Sequence, residues 1–245
     1  MKILITGSQG MIGSHLKNYL KEWFEIVEFE GDVTHKDAWD NYPYPESYYA
    51  LIHLAAFAGV RDSMKNPDKY YNNNVISTRH ALEWGKHAKY VLYASSSNAY
   101  EWWGNPYATT KKINEEQGKM YKNTIGMRFH TVWPGRDDML YQKLKRKEVS
   151  YINELHTRDF IHVEDLCSAI RKILDNFNHV LSEVGKVVDI GTGHGTSVKS
   201  VAKGMGFEGQ YISDDTPGER IHTRANVEWL YNLGWGPQHN ILNYS

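Results

Sequence analysis

The sequence predicts an α/β protein, a doubly wound parallel sheet carrying a small lid. Short apolar runs alternate with amphipathic stretches long enough to cross a sheet, and strand, helix, strand in repetition calls for parallel strands covered by helices on both faces. The first apolar run passes directly into a glycine-rich turn and a helix. Beyond about Phe129 the alternation becomes irregular, and ligands of open α/β sheets sit outside the carboxyl ends of the strands, where irregular pieces form a lid.

Taken in order, the apolar run Lys2–Thr6 reads as the first strand and the amphipathic stretch Met11–Lys21 as the helix that follows. Phe24–Phe29 and Ala50–Leu54 are the next strands, then a long helical pattern over Asp68–Lys86. Tyr90–Ala94 precedes a helix over Tyr107–Tyr121, Thr124–Phe129 is a further strand, and a short helix is expected over Leu140–Lys147. The chain is expected to return to the sheet near Phe160, to form a helix over Val163–Phe177, and to close with the strand Lys186–Ile190. The expected division is residues 1–130 with 160–190 as the dinucleotide-binding domain, and 131–159 with 191–245 as the lid.

Composition narrows the function classes. Hydrophobic residues make up 41% and charged residues 23% of the 245, as in ordinary globular proteins. With 28 Lys+Arg against 29 Asp+Glu, no global charge draws the chain to nucleic acid or to an anionic membrane. The single cysteine, Cys167, cannot pair within the chain and is expected in the core. MKILITGSQG enters a strand where a signal peptide needs a basic region and a longer apolar stretch, and no run reaches membrane-spanning length, so a soluble, cytoplasmic protein is expected. The twelve histidines include no closely spaced ligand set, and no metal site is expected.

Gly7, Gly10 and Gly13 stand at three-residue intervals where the first strand becomes a helix. Such glycines tighten the turn, let backbone approach a pyrophosphate, and allow close helix packing, while the helix start offers unpaired N–H groups. Gly7, Gln9, Gly10, Met11, Ile12 and Gly13 are therefore expected at a dinucleotide. Glu30 closes the second strand where an acid accepts from ribose hydroxyls and repels a 2′-phosphate, which favours NAD over NADP; Glu28 stands close by in an alternative register. Asp32 either accepts from the adenine amino group or caps the helix beginning near His35.

Tyr107 and Lys111 lie four residues apart on one helix face, so the ammonium can stabilise a phenolate; the same pair is also common surface chemistry. Ser95, Ser96 and Ser97 leave the strand Tyr90–Ala94 at its carboxyl end, where a hydroxyl can hold the oxygen that Tyr107 deprotonates.

With these residues in place, the chain resembles the extended short-chain dehydrogenase/reductase group of nucleotide-sugar epimerases and dehydratases, which have a Rossmann-like fold. Thr6 to Gly13 looks like its phosphate loop, His53-Leu54-Ala55-Ala56 like the strand beneath the cofactor, and Ser96, Tyr107 and Lys111 fall on its catalytic Ser/Thr, Tyr and Lys. Arg158 to Asp165 is similar to the segment whose Arg contacts the substrate diphosphate. The segments Ala55–Arg61, Tyr93–Ser97, Tyr107–Glu115, Arg128–Val132 and Gly135–Met139 look most like UDP-glucuronate 4-epimerases.

The resemblance implies NAD as cofactor and a UDP-sugar as substrate, oxidised reversibly at C4 through a 4-keto intermediate, without net redox. It implies Leu54, Ala55, Ala56, Asn74 and Ala94 at the cofactor, Asn74 being equally a polar helix position. Ser95, Ser96, Ser97, Thr131, Arg136 and Arg158 are implied at the substrate, with Arg136 suited to a carboxylate or else paired to Asp137 or Asp138 in its own loop. Arg220 stands in for a family Arg that Asp214, Asp215 and Thr216 replace. A homodimer through the helices Asp68–Lys86 and Tyr107–Tyr121 is expected as in relatives. The alternatives are 4-epimerisation of UDP-glucose or UDP-N-acetylglucosamine, a 4,6-dehydratase, and a non-catalytic NAD-binding regulator. Ser97 and Asn98 occupy the places where a dehydratase carries Asp-Glu, which counts against elimination.

Overall fold

A computed structural model describes residues 1–214 and 216–244. The apolar runs form a six-stranded parallel sheet in the order β2-β1-β3-β4-β5-β9. Its strands are β1 (Lys2–Thr6), β2 (Glu25–Glu28), β3 (Tyr48–His53), β4 (Tyr90–Ser96), β5 (Thr124–Phe129) and β9 (Val187–Ile190). Between β5 and β9 come the short strands β6 (Thr131–Trp133) and β7 (Tyr151–Asn153), then β8 (Thr157–His162); β10 (Gly195–Ser197) and β11 (Gln210–Ile212) follow. From β1 the order runs outward to β2 on one side and to β3 on the other, so the carboxyl ends of β1 and β3 flank the point where the topology reverses.

The chain divides into two compact units, Met1–Arg128 with Ile173–Val188, and Phe129–Lys172 with the chain from Asp189 onward. In the first unit Leu4, Leu51, Val91 and Tyr93 pack with Trp39, Tyr48 and Leu82 in one buried cluster. Tyr93 fits only because two neighbours lack side chains. A Cβ on Gly118 or Gly126 would stand 2.3 or 2.5 Å from its hydroxyl oxygen.

The second unit holds a three-stranded sheet, β10-β8-β6, and the parallel pair β11-β7. Trp133, Leu144, Ile152, Phe160, Val198, Val201 and Ile241 form its core. Here the structure departs from the expected return to the central sheet, because the strand bearing Phe160 pairs parallel with β6 and antiparallel with β10. Asp159, fully buried, explains what holds this region. Its carboxylate accepts from Thr192 N and Oγ1 (2.7 and 2.8 Å), Gly193 N (2.8 Å) and Ala225 N (3.0 Å).

Two expected helices are interrupted. The stretch expected over Asp68–Lys86 is a helical turn at Pro67–Tyr70, a π-helical turn at Tyr71–Val75 and an α-helix at Ile76–Gly85. Asn74, in the π turn, is fully buried with its amide engaged by backbone outside the helix. The helix expected to reach Phe177 ends at Asp175, since Asn176 leaves helical geometry (φ −121°, ψ 24°).

Replacing Asp159 with Ala strands buried donors without an acceptor, at about 1–3 kcal/mol for each unsatisfied group. Urea denaturation is expected to show a loss of about 3 kcal/mol or more, and a smaller one for Asp159→Asn, which keeps an acceptor oxygen. Unchanged stability in Asp159→Ala would refute this account of the second unit.

Candidate functional site

At the end of β1 the glycine turn is a fitted piece of backbone. Gly7 has φ +69°, and a Cβ there would lie 2.7 Å from Ala55 N, so the loop after β3 presses directly on the turn. A Cβ on Gly13 would lie 2.1 Å from Gly7 O. Gly10 is the extended residue before the helix Met11–Leu20, donates to Gly7 O at 3.0 Å, and has no side chain over the helix start. The turn thus holds bare backbone at the amino end of a three-turn helix, which suits a diphosphate. Thr6 Oγ1 fixes the neighbouring loop by accepting from Ala55 N (3.2 Å) and bonding His53 Nδ1 (2.8 Å). Burial holds that imidazole neutral, its pKa pushed down to about 3.

The acids after β2 separate into different roles. Glu28 is committed, receiving Gln9 Nε2 at 2.6 Å and Lys17 Nζ at 2.9 Å, and these bonds with Ser8 hold its carboxyl below the usual range. Glu30 is exposed, with its amide bonded to the Tyr42 hydroxyl at 2.6 Å. Asp32 Oδ1 accepts from Thr34 N (2.8 Å) and Oγ1 (2.7 Å), closing a turn ahead of the helical turn Lys36–Trp39. That turn begins after His35 without a side-chain cap, so Asp32 does not cap it.

Asn105 starts the helix Pro106–Lys119 by accepting from Ala108 N at 2.8 Å, which sets Tyr107 in its first turn. Tyr107 meets the buried Tyr70 ring edge-on with centroids 6.1 Å apart, and Lys111 Nζ lies 6.0 Å from the Tyr107 ring centre. Lys111 is 3% exposed and donates to Ala94 O at 2.9 Å, tying the Tyr107 helix to the end of β4. Two residues on, Ser96 Oγ accepts from Asn98 N and Nδ2 at 3.2 and 3.3 Å, leaving its own proton for another acceptor. Burial pushes the Lys111 ammonium down to about 8, opposed by the Glu115 carboxylate.

Glu115 is a residue that sequence reasoning left unassigned. It is fully buried, accepts Ser95 Oγ at 2.6 Å, and pairs with Arg128 Nε and Nη2 at 2.7 and 2.8 Å. Arg128 also lies under the Tyr100 ring at 4.1 Å. The proton of the Ser95 hydroxyl is thus committed to a bond into the helix Pro106–Lys119. Asn74 is similarly committed, joining Phe57 N and O (2.8 and 3.0 Å) to Thr110 Oγ1 (3.2 Å), beside Lys111. Ser97 is buried at 6% exposure.

The second unit carries the remaining expected residues. Thr131 pairs with Phe160 in the small sheet. Arg136 holds Asp138 with both arms, Nε to Oδ1 at 3.0 Å and Nη2 to Oδ2 at 3.1 Å, at the surface. Arg158 Nη1 donates to Thr157 O and Ile221 O (2.9 and 3.0 Å), with Glu219 3.9 Å from Nη2. Burial depresses the Arg158 pKa, with the Glu219 carboxylate opposing the fall and Arg220 adding to it. A cleft of about 540 Å³ is lined by Thr157, His194, His222 and Arg224 with neighbouring backbone. Asp215 lies outside the described residues. The structure also gathers His162, Glu164 and His239, with ligand atoms all within 4.8 Å of one another, a set the sequence separates too widely to reveal.

A parallel sheet that reverses order beside a glycine turn, with tyrosine and lysine on the helix after a serine-ended strand, defines a dinucleotide-dependent α/β enzyme class. The family model for the NAD dependent epimerase/dehydratase family matches residues 3–191, and the chain belongs to that family, with NAD as its cofactor. Protein CapI of Staphylococcus aureus is 30% identical, over 71% of this chain and 69% of its own. UDP-glucuronate 4-epimerase 6 of Arabidopsis thaliana is 26% identical, over 97% of this chain and 68% of its own. Among solved structures, MoeE5 in complex with UDP-glucose and NAD superposes with a TM-score of 0.83 at 26% identity, covering 99% of this chain and 95% of that one. Among the described residues no helix is long and apolar enough to cross a membrane.

The glycine turn fits NAD, because Gly10 puts no side chain over the start of the helix Met11–Leu20. Gly13→Ala forces a methyl into Gly7 O, and calorimetric titration is expected to show NAD affinity reduced at least tenfold. Affinity equal to that of the parent would remove the turn from the cofactor site. Lys111 sets a pH signature in the unliganded protein. Its folded pKa lies below the unfolded 10.5, so the unfolded chain binds more protons between pH 8 and 10.5. Relative to Lys111→Met, stability is expected to rise by about 3 kcal/mol across that window, full above it and lost as pH falls to 8. Parallel curves from the two proteins in pH-dependent urea melts would contradict a buried ammonium.

Proposed function

We propose that this protein is an NAD-dependent 4-epimerase of a UDP-sugar, with UDP-glucuronate to UDP-galacturonate as the preferred reaction. The observation that carries the reading is the buried Lys111, bonded to the end of β4 and stacked one helical turn from Tyr107. NAD, held by the glycine turn at residues 7–13, would supply a hydride acceptor and donor for the sugar C4. Tyr107, as phenolate, accepts the C4 hydroxyl proton and later gives it back. Lys111 lowers the cost of that phenolate, and its own lowered pKa lets it share the proton at mildly alkaline pH. Ser96 Oγ already takes two donors from Asn98, so its proton is directed outward, to the C4 oxygen. Glu30 receives the adenosine ribose, and its like charge repels a 2′-phosphate.

Preference for a uronate rests on Arg136. Its two arms grip a carboxylate in Asp138, and the C6 carboxylate of glucuronate offers the same pair of oxygens in exchange. Holding that group steady matters, because a 4-keto intermediate lies β to it and loses CO2 readily. Thr131 assists at the sugar, while Arg158 and Arg220 meet the diphosphate. The same Arg136–Asp138 pair favours a second reading, a neutral UDP-hexose, in which Arg136 never leaves its loop. Elimination is disfavoured, since Ser97 and Asn98 supply no carboxyl group beside Ser96. Two copies are expected to pair through the stretches Asp68–Lys86 and Tyr107–Tyr121, and light scattering is expected to give a dimer.

NMR of reaction mixtures with a panel of UDP-sugars separates these readings. UDP-glucuronate is expected to convert without added reductant, and Tyr107→Phe to abolish turnover while NAD stays bound. Arg136→Ala is expected to slow the uronate by about one to two orders of magnitude, as for the loss of a charged hydrogen bond, and to spare neutral hexoses. Equal use of UDP-glucose and UDP-glucuronate selects the neutral-sugar reading. A 4-keto-6-deoxy product selects the dehydratase.

A further inference from the structure

Away from the residues assigned above, β8 ends in His162 and the helix Val163–Asp175 begins, so Glu164 and Asp165 fall in its first turn. The chain comes back to this corner at Gln238 and His239. Asp165, 2% exposed, accepts Gln238 N and His239 N, each at 3.0 Å, and lies 3.0 Å from His239 Nδ1. The His239 ring stacks on His162 with centroids 4.1 Å apart, and Trp133 meets the His162 ring edge-on at 4.5 Å. These contacts fix both imidazoles. Glu164, by contrast, has a side chain 65% exposed.

His239 stands between two carboxylates, Asp165 at Nδ1 and Glu164 at Nε2. A neutral imidazole has one N–H, and Asp165 at 3.0 Å claims it through Nδ1. The lone pair of Nε2 then faces Glu164 Oε2 at 3.4 Å, acceptor against acceptor. A cation between them turns repulsion into two bonds. The separation is also that of neighbouring ligands around tetrahedral zinc, about 3.4 Å for metal–ligand bonds of about 2.0–2.1 Å. His162 supplies a third donor, since the ligand atoms of all three residues lie within 4.8 Å. Its Nδ1 accepts Glu164 N at 3.4 Å, a long bond that a metal at this nitrogen would displace. Asp165 behind His239 is the carboxylate that orients a metal-bound imidazole and raises its basicity.

We propose that His162, Glu164 and His239 form a binding site for one divalent transition-metal ion of the zinc class. Two imidazoles and a carboxylate suit zinc over magnesium or calcium, which prefer all-oxygen shells. The exposed side leaves a fourth position for water. Bound metal would clip the segment at 238–239 to the start of the Val163–Asp175 helix. The site shares no residue with the proposed sugar chemistry, so it stands or falls independently of that reading.

Calorimetric titration of the chelator-treated full chain with Zn2+ tests the proposal, with circular dichroism to verify the fold of each variant. One ion per chain is expected, at micromolar affinity or tighter, together with a zinc-dependent rise in Tm. Glu164→Gln changes only an exposed side chain and is expected to weaken binding about tenfold or more; His239→Ala is expected to weaken it further. Cobalt should give the intense visible bands of a four- or five-coordinate ion, lost in both variants. Binding weaker than about 100 μM, or unchanged in either folded variant, overturns the site. So does an NMR titration in which His239 holds a proton above neutral pH and zinc at equal concentration leaves its signal unmoved, since a proton would then occupy the position assigned to the metal.

Discussion

The buried carboxylate of Glu115 is the constraint on which the first unit depends. Removing a charge from water is costly unless it is paired and hydrogen-bonded, and Glu115 meets both conditions through Arg128 and Ser95. Its partners sit on β5 and β4, while Glu115 sits on the helix of Tyr107 and Lys111. One carboxylate therefore fixes that helix against two strands. It also faces Lys111 electrostatically, raising a pKa that burial lowers, so the ammonium stays charged near neutrality. Scaffold and chemistry meet in the same side chain.

Asp159 follows the same physical logic in the second unit, but with backbone amides as its partners. A four-donor cradle holds the loop at 192–193 and the segment at 225 on one strand. In both units a buried carboxylate ties separate elements together. The second unit needs this more, because four of its strands have only three residues each, too few to specify register by pattern.

How much of this was legible in the sequence follows from distance along the chain. Central strands and their helices were readable to within a few residues, because apolar run, glycine turn and amphipathic stretch are local signals. Gly7, Gly10 and Gly13 were readable for the same reason, as was the four-residue spacing of Tyr107 and Lys111. Ser95 read as a sugar contact because nothing local points to Glu115, twenty residues away. Arg136 was legible as a grip for a carboxylate, and its own loop supplies one. Three-residue strands lie below any periodic signal, and the strand at Phe160 could not announce which sheet it joins. The His162–Glu164–His239 group is formed by chain closure over more than seventy residues, which no spacing rule captures.

The π-helical turn at Tyr71–Val75 places one surplus residue in an otherwise ordinary helix. Excising a single residue there would restore regular i to i−4 bonding and improve the local backbone. The wider turn absorbs the extra residue, so the helix on either side of it would keep nearly the same phase. The loss would fall inside the turn, where Asn74 serves both Phe57 and Thr110. Shortening is usually tolerated in loops and punished in helices for breaking hydrogen bonds. In this helix the penalty would arise from one displaced side chain, making the segment a place where the reach of Asn74 has been kept at the expense of regularity.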